Sequence, residues 1–148
     1  MSRPQGKLIG IDHGLARIGI AVCDALRISA RELAIINRAS RAEDFEKIAA
    51  LAEQEGASGF IVGLPTNFEA APGTYTQADT VRLWADRLQA AVGLPVKLWD
   101  EQLSSEDAAE LARQQKRPFD APIDDLAARV ILQRYLDALA DNLVDDPL

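Results

Sequence analysis

A change in hydrophobic periodicity near residue 40 is the feature that most constrains how this chain can fold. Before it lie short apolar segments with the length and residue types of β-strands. After it, apolar residues recur at helical spacing, with two more strand-like runs between the helices. Neighbouring early strands followed by strands separated by helices predict a mixed α/β sheet. The predicted strands are 7–12, 17–23, 32–37, 59–64 and 96–99, and the predicted helices are 42–55, 77–91, 105–115 and 124–139.

Length and charge limit the classes of protein that the chain can represent. Its 148 residues suit one domain, 1–148, with an acidic tail from about residue 141. The net charge of −7 argues against a general nucleic-acid binder, since neutralisation of phosphates supplies most nonspecific affinity. Residues 137–148, however, carry four aspartates and no basic residue. Much of the acidity is therefore confined to one end, and a local basic surface remains compatible with the composition.

The scarcity of cysteine and histidine restricts the metal chemistry. Cys23 is the single cysteine and His13 the single histidine, so neither an intrachain disulfide nor a four-ligand zinc site can form. Any metal would be held mainly by carboxylates, backbone groups and water, which favours Mg²⁺ or Mn²⁺. No apolar run approaches the roughly 20 residues of a membrane span, and the N-terminus lacks a secretory signal. We therefore expect a cytoplasmic protein without a membrane partner.

Three acids occupy informative positions in the predicted elements. Asp12 ends the first strand, Glu101 ends the last strand, and Asp124 begins the last helix. Sites in open α/β sheets form at the carboxyl ends of strands, so Asp12 and Glu101 can meet there. Converging carboxylates repel one another unless cations are bound, and a pair of divalent ions can activate water and polarise a phosphate. Taken singly, each acid also suits a structural role: Asp12 in the turn at Gly14, Glu101 in a loop, and Asp124 or Asp125 at a helix start.

Four segments resemble, in the same order, the motifs of the YqgF/RuvX family, and together they span nearly the whole chain. They are residues 11–21 for D-x-G-x-x-R-I-G-x-A, 62–67 for V-G-L-P-x-N, 100–105 for D-E-R-L-[ST]-[ST], and 123–136 for V-D-x-x-A-A…I-L…Y-L. The resemblance implies an RNase H-like fold, similar to the RuvC resolvase. Its sheet would be mixed and five-stranded, with the first three strands antiparallel and helices flanking it.

The resemblance also implies an active site and an activity. Asp12, Glu101 and Asp124 correspond to the family's catalytic metal ligands for Mg²⁺ or Mn²⁺, with Asp125 as the neighbouring alternative to Asp124. The implied activity is a nuclease that processes the 5′ end of precursor 16S ribosomal RNA. A Holliday junction resolvase or DNA nuclease is the alternative within the same family.

One hypothesis from another class stays open beside the nuclease, and a second is disfavoured by the length of the chain. A non-catalytic ribosome-assembly factor is favoured by the acidic charge and by Gln102, which stands where the family has arginine. A nucleotide-binding relative of the actin and sugar-kinase fold would need a second lobe, for which 148 residues leave no room.

Four polar residues are candidates for contacts with nucleic acid. They are Arg17, Asn67, Lys116 and Arg117, and each also suits a hairpin or loop on the surface. Arginine binds phosphate through two parallel hydrogen bonds, which favours Arg17 beside the acid-bearing turn. The expected partner is therefore precursor RNA or branched DNA, bound by a monomer or a homodimer.

Overall fold

A five-stranded mixed sheet organises the computed structural model, which describes residues 5–65, 73–100 and 104–148. In sheet order the strands run β3-β2-β1-β4-β5. β1, β2 and β3 pair antiparallel, whereas β1, β4 and β5 pair parallel, and this confirms the predicted fold class. The elements are β1 (Leu8–His13), β2 (Arg17–Cys23), β3 (Ala30–Asn37), α1 (Arg41–Glu55), β4 (Gly59–Leu64), α2 (Gln77–Val92), β5 (Val96–Asp100), α3 (Ser104–Gln114) and α4 (Asp124–Ala140).

The turn between β1 and β2 depends on a glycine. The backbone N–H of Gly14 donates to the carbonyl oxygen of Arg17 across 2.9 Å, and this bond closes the hairpin. A Cβ on Gly14 would lie 2.6 Å from that same oxygen, too close for any side chain. The hairpin therefore fixes where β1 ends and where Arg17 begins β2.

Local caps explain the limits of the first two helices. The Ser40 side chain accepts from the backbone N–H of Glu43, and α1 ends at Gly56 in the left-handed region. α2 begins with a reciprocal pair of hydrogen bonds between Thr76 and Asp79. These signals are local, so the predicted helices differ from the observed ones by only one residue at each affected end. β3 begins two residues earlier than predicted, because the Ala30 N–H donates to the distant Gln133 side chain in addition to pairing with β2.

The alternation of side chains along the strands builds a core on each face of the sheet. α1 and α2 cover one face, where Ile9, Ile11 and Trp84 are buried. α4 covers the other face, where Leu132 and Tyr135 are buried, and α3 packs on α4. Since neighbouring strand residues face opposite sides, successive residues at the end of β1 serve different cores.

The residues after α4 pack back against the sheet. Lys97 Nζ donates to the carbonyl oxygens of Asp145 and Asp146, at 2.9 and 3.3 Å, and Arg27 donates to the carbonyl oxygen of Leu148. The side chain of Val144 joins the α4 core. The predicted acidic tail is thus held through its backbone, with its carboxylates at the surface. Within the described ranges no helix is both long enough and apolar enough to cross a membrane.

Candidate active site

A glycine brings the first of the predicted acids close to the start of α4. Asp12 pairs with Gly19 of β2 in the sheet register. A Cβ on Gly19 would lie 1.8 Å from the carbonyl oxygen of Asp124 and 2.2 Å from its carbonyl carbon. Only a residue without a side chain lets the first turn of α4 approach so closely. The close approach places Asp12 and Asp124 on one side of the sheet, near the carboxyl end of β1.

Asp124 is oriented by an arginine and a glycine of the β1–β2 hairpin. Its Oδ2 accepts from Nε of Arg17 at 2.9 Å, and the side chains are 18% and 42% exposed, respectively. Its Oδ1 lies 3.6 Å from where a Cβ on Gly14 would stand, so the missing side chain leaves room beside this oxygen. Asp124 also occupies the first turn of α4, where the helix dipole stabilises a negative charge.

Both acids line one pocket of about 540 Å³. Three arginines line the same pocket: Arg17, Arg113 and Arg117. Residues 117–123, which join α3 to α4, form the outer wall. Two carboxylates beside several guanidinium groups suit a ligand that carries phosphate, because guanidinium binds phosphate strongly and the acids can hold cations.

The structure separates Asp124 from its neighbour Asp125. The Asp125 carboxylate accepts two hydrogen bonds from Arg117, Nη1–Oδ1 at 2.8 Å and Nη2–Oδ2 at 3.0 Å, and Asp125 is only 8% exposed. These hydrogen bonds raise the pKa of Arg117 above its ordinary value. Asp125 does not line the pocket, so Asp124 is the member of the pair that faces it. Arg117 was predicted to contact nucleic acid, but this ion pair engages much of its guanidinium within the protein.

Several predicted residues are placed elsewhere or lie outside the described residues. Glu101, Asn67 and Gln102 belong to the undescribed part of the chain. β5 ends at Asp100 on the same edge as the end of β1, because both strands run parallel to β4. Lys116 lies just after α3 with a left-handed backbone (φ 56°) and is exposed, without an ion pair to any described residue.

The donor set suits a hard divalent cation. No cluster of three or more His, Cys, Asp or Glu side chains that could hold a metal occurs within residues 5–65, 73–100 and 104–148. Asp12 and Asp124 nevertheless offer carboxylate oxygens to one solvent-accessible pocket. Mg²⁺ commonly keeps several waters and takes only one or two protein carboxylates, so this pair satisfies its preferences.

His13 faces away from this pocket. Its ring packs against Trp84, with 4.6 Å between the ring centroids, on the face covered by α1 and α2. Burial, with a further contribution from Arg38, lowers the pKa of His13 to about 4. A neutral, buried imidazole on the opposite face cannot serve Asp12 as a proton carrier.

The sheet and its flanking helices form an RNase H-like fold of the kind found in RuvC. The structure matches Thermus thermophilus RuvC in complex with a Holliday junction substrate with a TM-score of 0.57 and 16% identity, over 89% of this chain and 94% of that one. It also matches the yeast mitochondrial Holliday junction resolvase Ydc2 with a TM-score of 0.51 and 11% identity, over 97% and 84% of the two chains. At these identities the likeness establishes the fold.

Sequence comparison gives the family. The profile of the RuvX family, described as Holliday junction resolvase, matches residues 6–138, and the chain belongs to this family. Two relatives carry the name "Putative pre-16S rRNA nuclease". The one from Syntrophus aciditrophicus is 35% identical over 93% of both chains, and the one from Moorella thermoacetica is 39% identical over 92% of this chain and 98% of its own. Family membership makes this protein a phosphodiester hydrolase of the nuclease class.

Sequence reasoning missed two contributors to the site. Gly19, which allows the close approach of α4, lies within the first family motif. Its position opposite Asp12 in the hairpin was the sequence signal for this role. The pairing of Arg117 with Asp125 had no local signal, because it depends on how the α3–α4 connection turns back onto α4.

Proposed function

We propose that this protein is a metal-dependent nuclease that processes the 5′ end of precursor 16S ribosomal RNA in the cytoplasm. The observation that carries the proposal is the convergence of Asp12 and Asp124 in one pocket beside Arg17. Relatives named for pre-16S rRNA and covered almost completely by this chain support the choice of substrate.

The acids would hold the cofactor and the arginine would hold the substrate. Asp12 and Asp124, with Glu101 as the third ligand, are the residues that would bind Mg²⁺ or Mn²⁺. Divalent ions in such a site supply an activated water and stabilise the charge that develops on the phosphate. Arg17 contacts Asp124 through Nε, so its Nη groups can donate to a phosphate oxygen while the carboxylate stays oriented.

Three basic side chains lie at or near the pocket, and two of them already form ion pairs, Arg113 with Glu110 and Arg117 with Asp125. Arg113 lines the pocket, and Lys116 and Arg117 follow at the end of α3. Because screening limits the reach of surface charges to roughly 10 Å at ordinary ionic strength, these cations can act on a bound phosphate despite the net charge of −7. Together with Asn67, they are the proposed contacts to the nucleic-acid backbone.

Removal of one metal ligand tests the proposal. Asp12→Asn keeps the shape of the side chain and lowers its affinity for a cation, so cleavage should fall by about a thousandfold, equivalent to several kcal/mol of lost transition-state stabilisation. Asp86→Asn, at an exposed position of α2, is the matched control and should cleave at the wild-type rate. Wild-type cleavage by folded Asp12→Asn protein would refute the metal mechanism.

The choice of substrate is tested in the same assay. Precursor 16S RNA, a four-way DNA junction and single strands are incubated side by side with Mg²⁺, Mn²⁺ or EDTA. We expect metal-dependent cleavage of the precursor RNA. Preferred cleavage of the junction would instead support the resolvase alternative. A resolvase needs two active sites held in a dimer, and light scattering would measure whether the protein is dimeric. Absence of any metal-dependent product would favour the non-catalytic assembly factor.

A further inference from the structure

The connection between α3 and α4 exposes an aromatic side chain completely. Phe119 has a relative exposure of 107%, the highest of the large apolar residues in the described part of the chain. It lines the outer wall of the pocket that contains Asp12 and Asp124. A phenyl ring held in water forgoes the stabilisation that burial would give, and both of its faces stay available to a ligand.

The backbone around Phe119 is fixed at both ends. After α3, the Arg117 N–H donates to the carbonyl oxygen of Ala112 while Lys116 takes the left-handed conformation, a paired arrangement that ends helices. The Ala121 N–H then donates to the carbonyl oxygen of Pro118 at 3.0 Å, which places Phe119 at the tip of a turn. The exposure of the ring is therefore built into an ordered turn.

Charged side chains of both signs lie near the ring. Lys116 precedes Phe119 and has no ion pair with a described residue, whereas Arg117 pairs with Asp125 and Arg113 with Glu110. Asp120 follows the ring and lines the same pocket. Proteins that bind single strands combine cations for the backbone with exposed aromatic rings on which unpaired bases stack. A protein partner would need a continuous apolar patch of several large side chains, whereas Phe119 is the one large apolar side chain of the described turn 118–121, between Pro118 and Asp120.

We propose that Phe119 is a stacking platform for an unpaired base next to the phosphate that is cleaved. The ligand class is a single-stranded nucleotide segment, with its phosphate beside Arg17 and the acids and its base on Phe119. A duplex keeps its bases stacked on one another and gains nothing from the ring. The inference rests on the proposed nuclease function and adds selectivity for unpaired regions.

Equilibrium binding with three variants tests the inference. The probe is a short single-stranded RNA carrying 2-aminopurine, compared with its duplex, with Ca²⁺ in place of Mg²⁺ and again in EDTA. Phe119→Ala should weaken single-strand binding by about 10- to 100-fold and abolish the quenching of 2-aminopurine that stacking produces. Phe119→Trp should retain both properties. Leu143→Ala removes another exposed apolar side chain, 72% exposed and beyond the end of α4, and should bind like the wild type.

The outcomes separate this inference from the proposed function. Unchanged single-strand binding and quenching in Phe119→Ala would overturn the stacking role, whether or not the protein cleaves RNA. An equal loss for single strand and duplex would also overturn it and would indicate a general contact. Phe119-dependent quenching in a protein that cleaves no substrate would support the platform while refuting the nuclease.

Discussion

Replacing Gly19 with alanine should disable the site by pushing α4 away from the sheet. The new Cβ would stand 1.8 Å from the carbonyl oxygen of Asp124, whereas ordinary contacts begin at about 3.4 Å. The two segments must therefore separate by roughly 1.5 Å. Both sides of the clash are backbone, so no change of rotamer can relieve it.

The displacement has a cost in stability and a cost in activity. Overpacking a buried position usually destabilises by about 1–3 kcal/mol, and the rigid partner here places Gly19→Ala at about 3 kcal/mol. A shift of about 1 Å in a catalytic group can reduce the rate by roughly 100-fold. Because Asp124 itself is the residue displaced, we expect at least that loss in cleavage by the fraction of molecules that are folded.

Gly10→Ala separates the two effects. A Cβ on Gly10 would lie 2.7 Å from Cβ of Leu132 and 3.0 Å from the carbonyl oxygen of Ala128, so it also presses on α4 but farther from Asp124. Urea unfolding gives the loss of stability for each variant, and cleavage of precursor RNA is measured where both are folded. Gly10→Ala should lose stability with a much smaller loss of activity. If Gly19→Ala matched the wild type in both measurements, the account of how α4 is placed would be wrong.

Three other predictions follow from single contacts. Arg117→Ala leaves the buried Asp125 carboxylate without its ion pair and should lower the free energy of unfolding in urea by about 2–3 kcal/mol. The double variant with alanine at Arg117 and Asp125 should lose less stability than the two single variants together, and additive losses would contradict the coupling. The Asp24 carboxylate accepts hydrogen bonds from backbone N–H groups, foremost that of Ser29, and these bonds lower its pKa. The stability that Asp24 adds is therefore complete above its unfolded pKa of about 3.9 and is lost as the pH falls through the lower folded pKa. The stability advantage of the wild type over Asp24→Ala should shrink below about pH 4, and an advantage that stayed constant to about pH 3 would contradict this reasoning. Burial raises the pKa of the Cys23 thiol, so iodoacetamide should modify it only as fast as the protein unfolds, as followed by mass spectrometry; rapid modification of the folded protein would refute this.

The order of elements was predictable because it depends on local patterns. Strand-like and helical periods, the glycine turn after Asp12 and the caps at Ser40 and Thr76 all act within a few residues. The order of strand-like and helical segments already predicted a mixed sheet, and the family motifs identified it as RNase H-like. The start of β3 was misjudged because its first residue pairs with a side chain that is 103 residues away.

The details of the site were less predictable because they arise from contacts between distant segments. Adjacent residues of a helix point about 100° apart, so only the packing of α4 decides that Asp124 faces the pocket while Asp125 faces Arg117. Phe119 carries no sequence signal of exposure, since apolar residues are ordinarily counted toward the core. Glu101 lies outside the described residues and stays a prediction.

Because α4 is anchored through Gly19, two walls of the pocket differ in how they are held. The position of Asp124 is inherited from the packed core, where Leu132 and Tyr135 of the same helix are buried against the sheet. The wall formed by residues 118–121 is a surface turn whose side chains are not part of the hydrophobic core. Substitutions in this turn should therefore leave the position of Asp124 unchanged, because the packing of α4 on the sheet holds that residue.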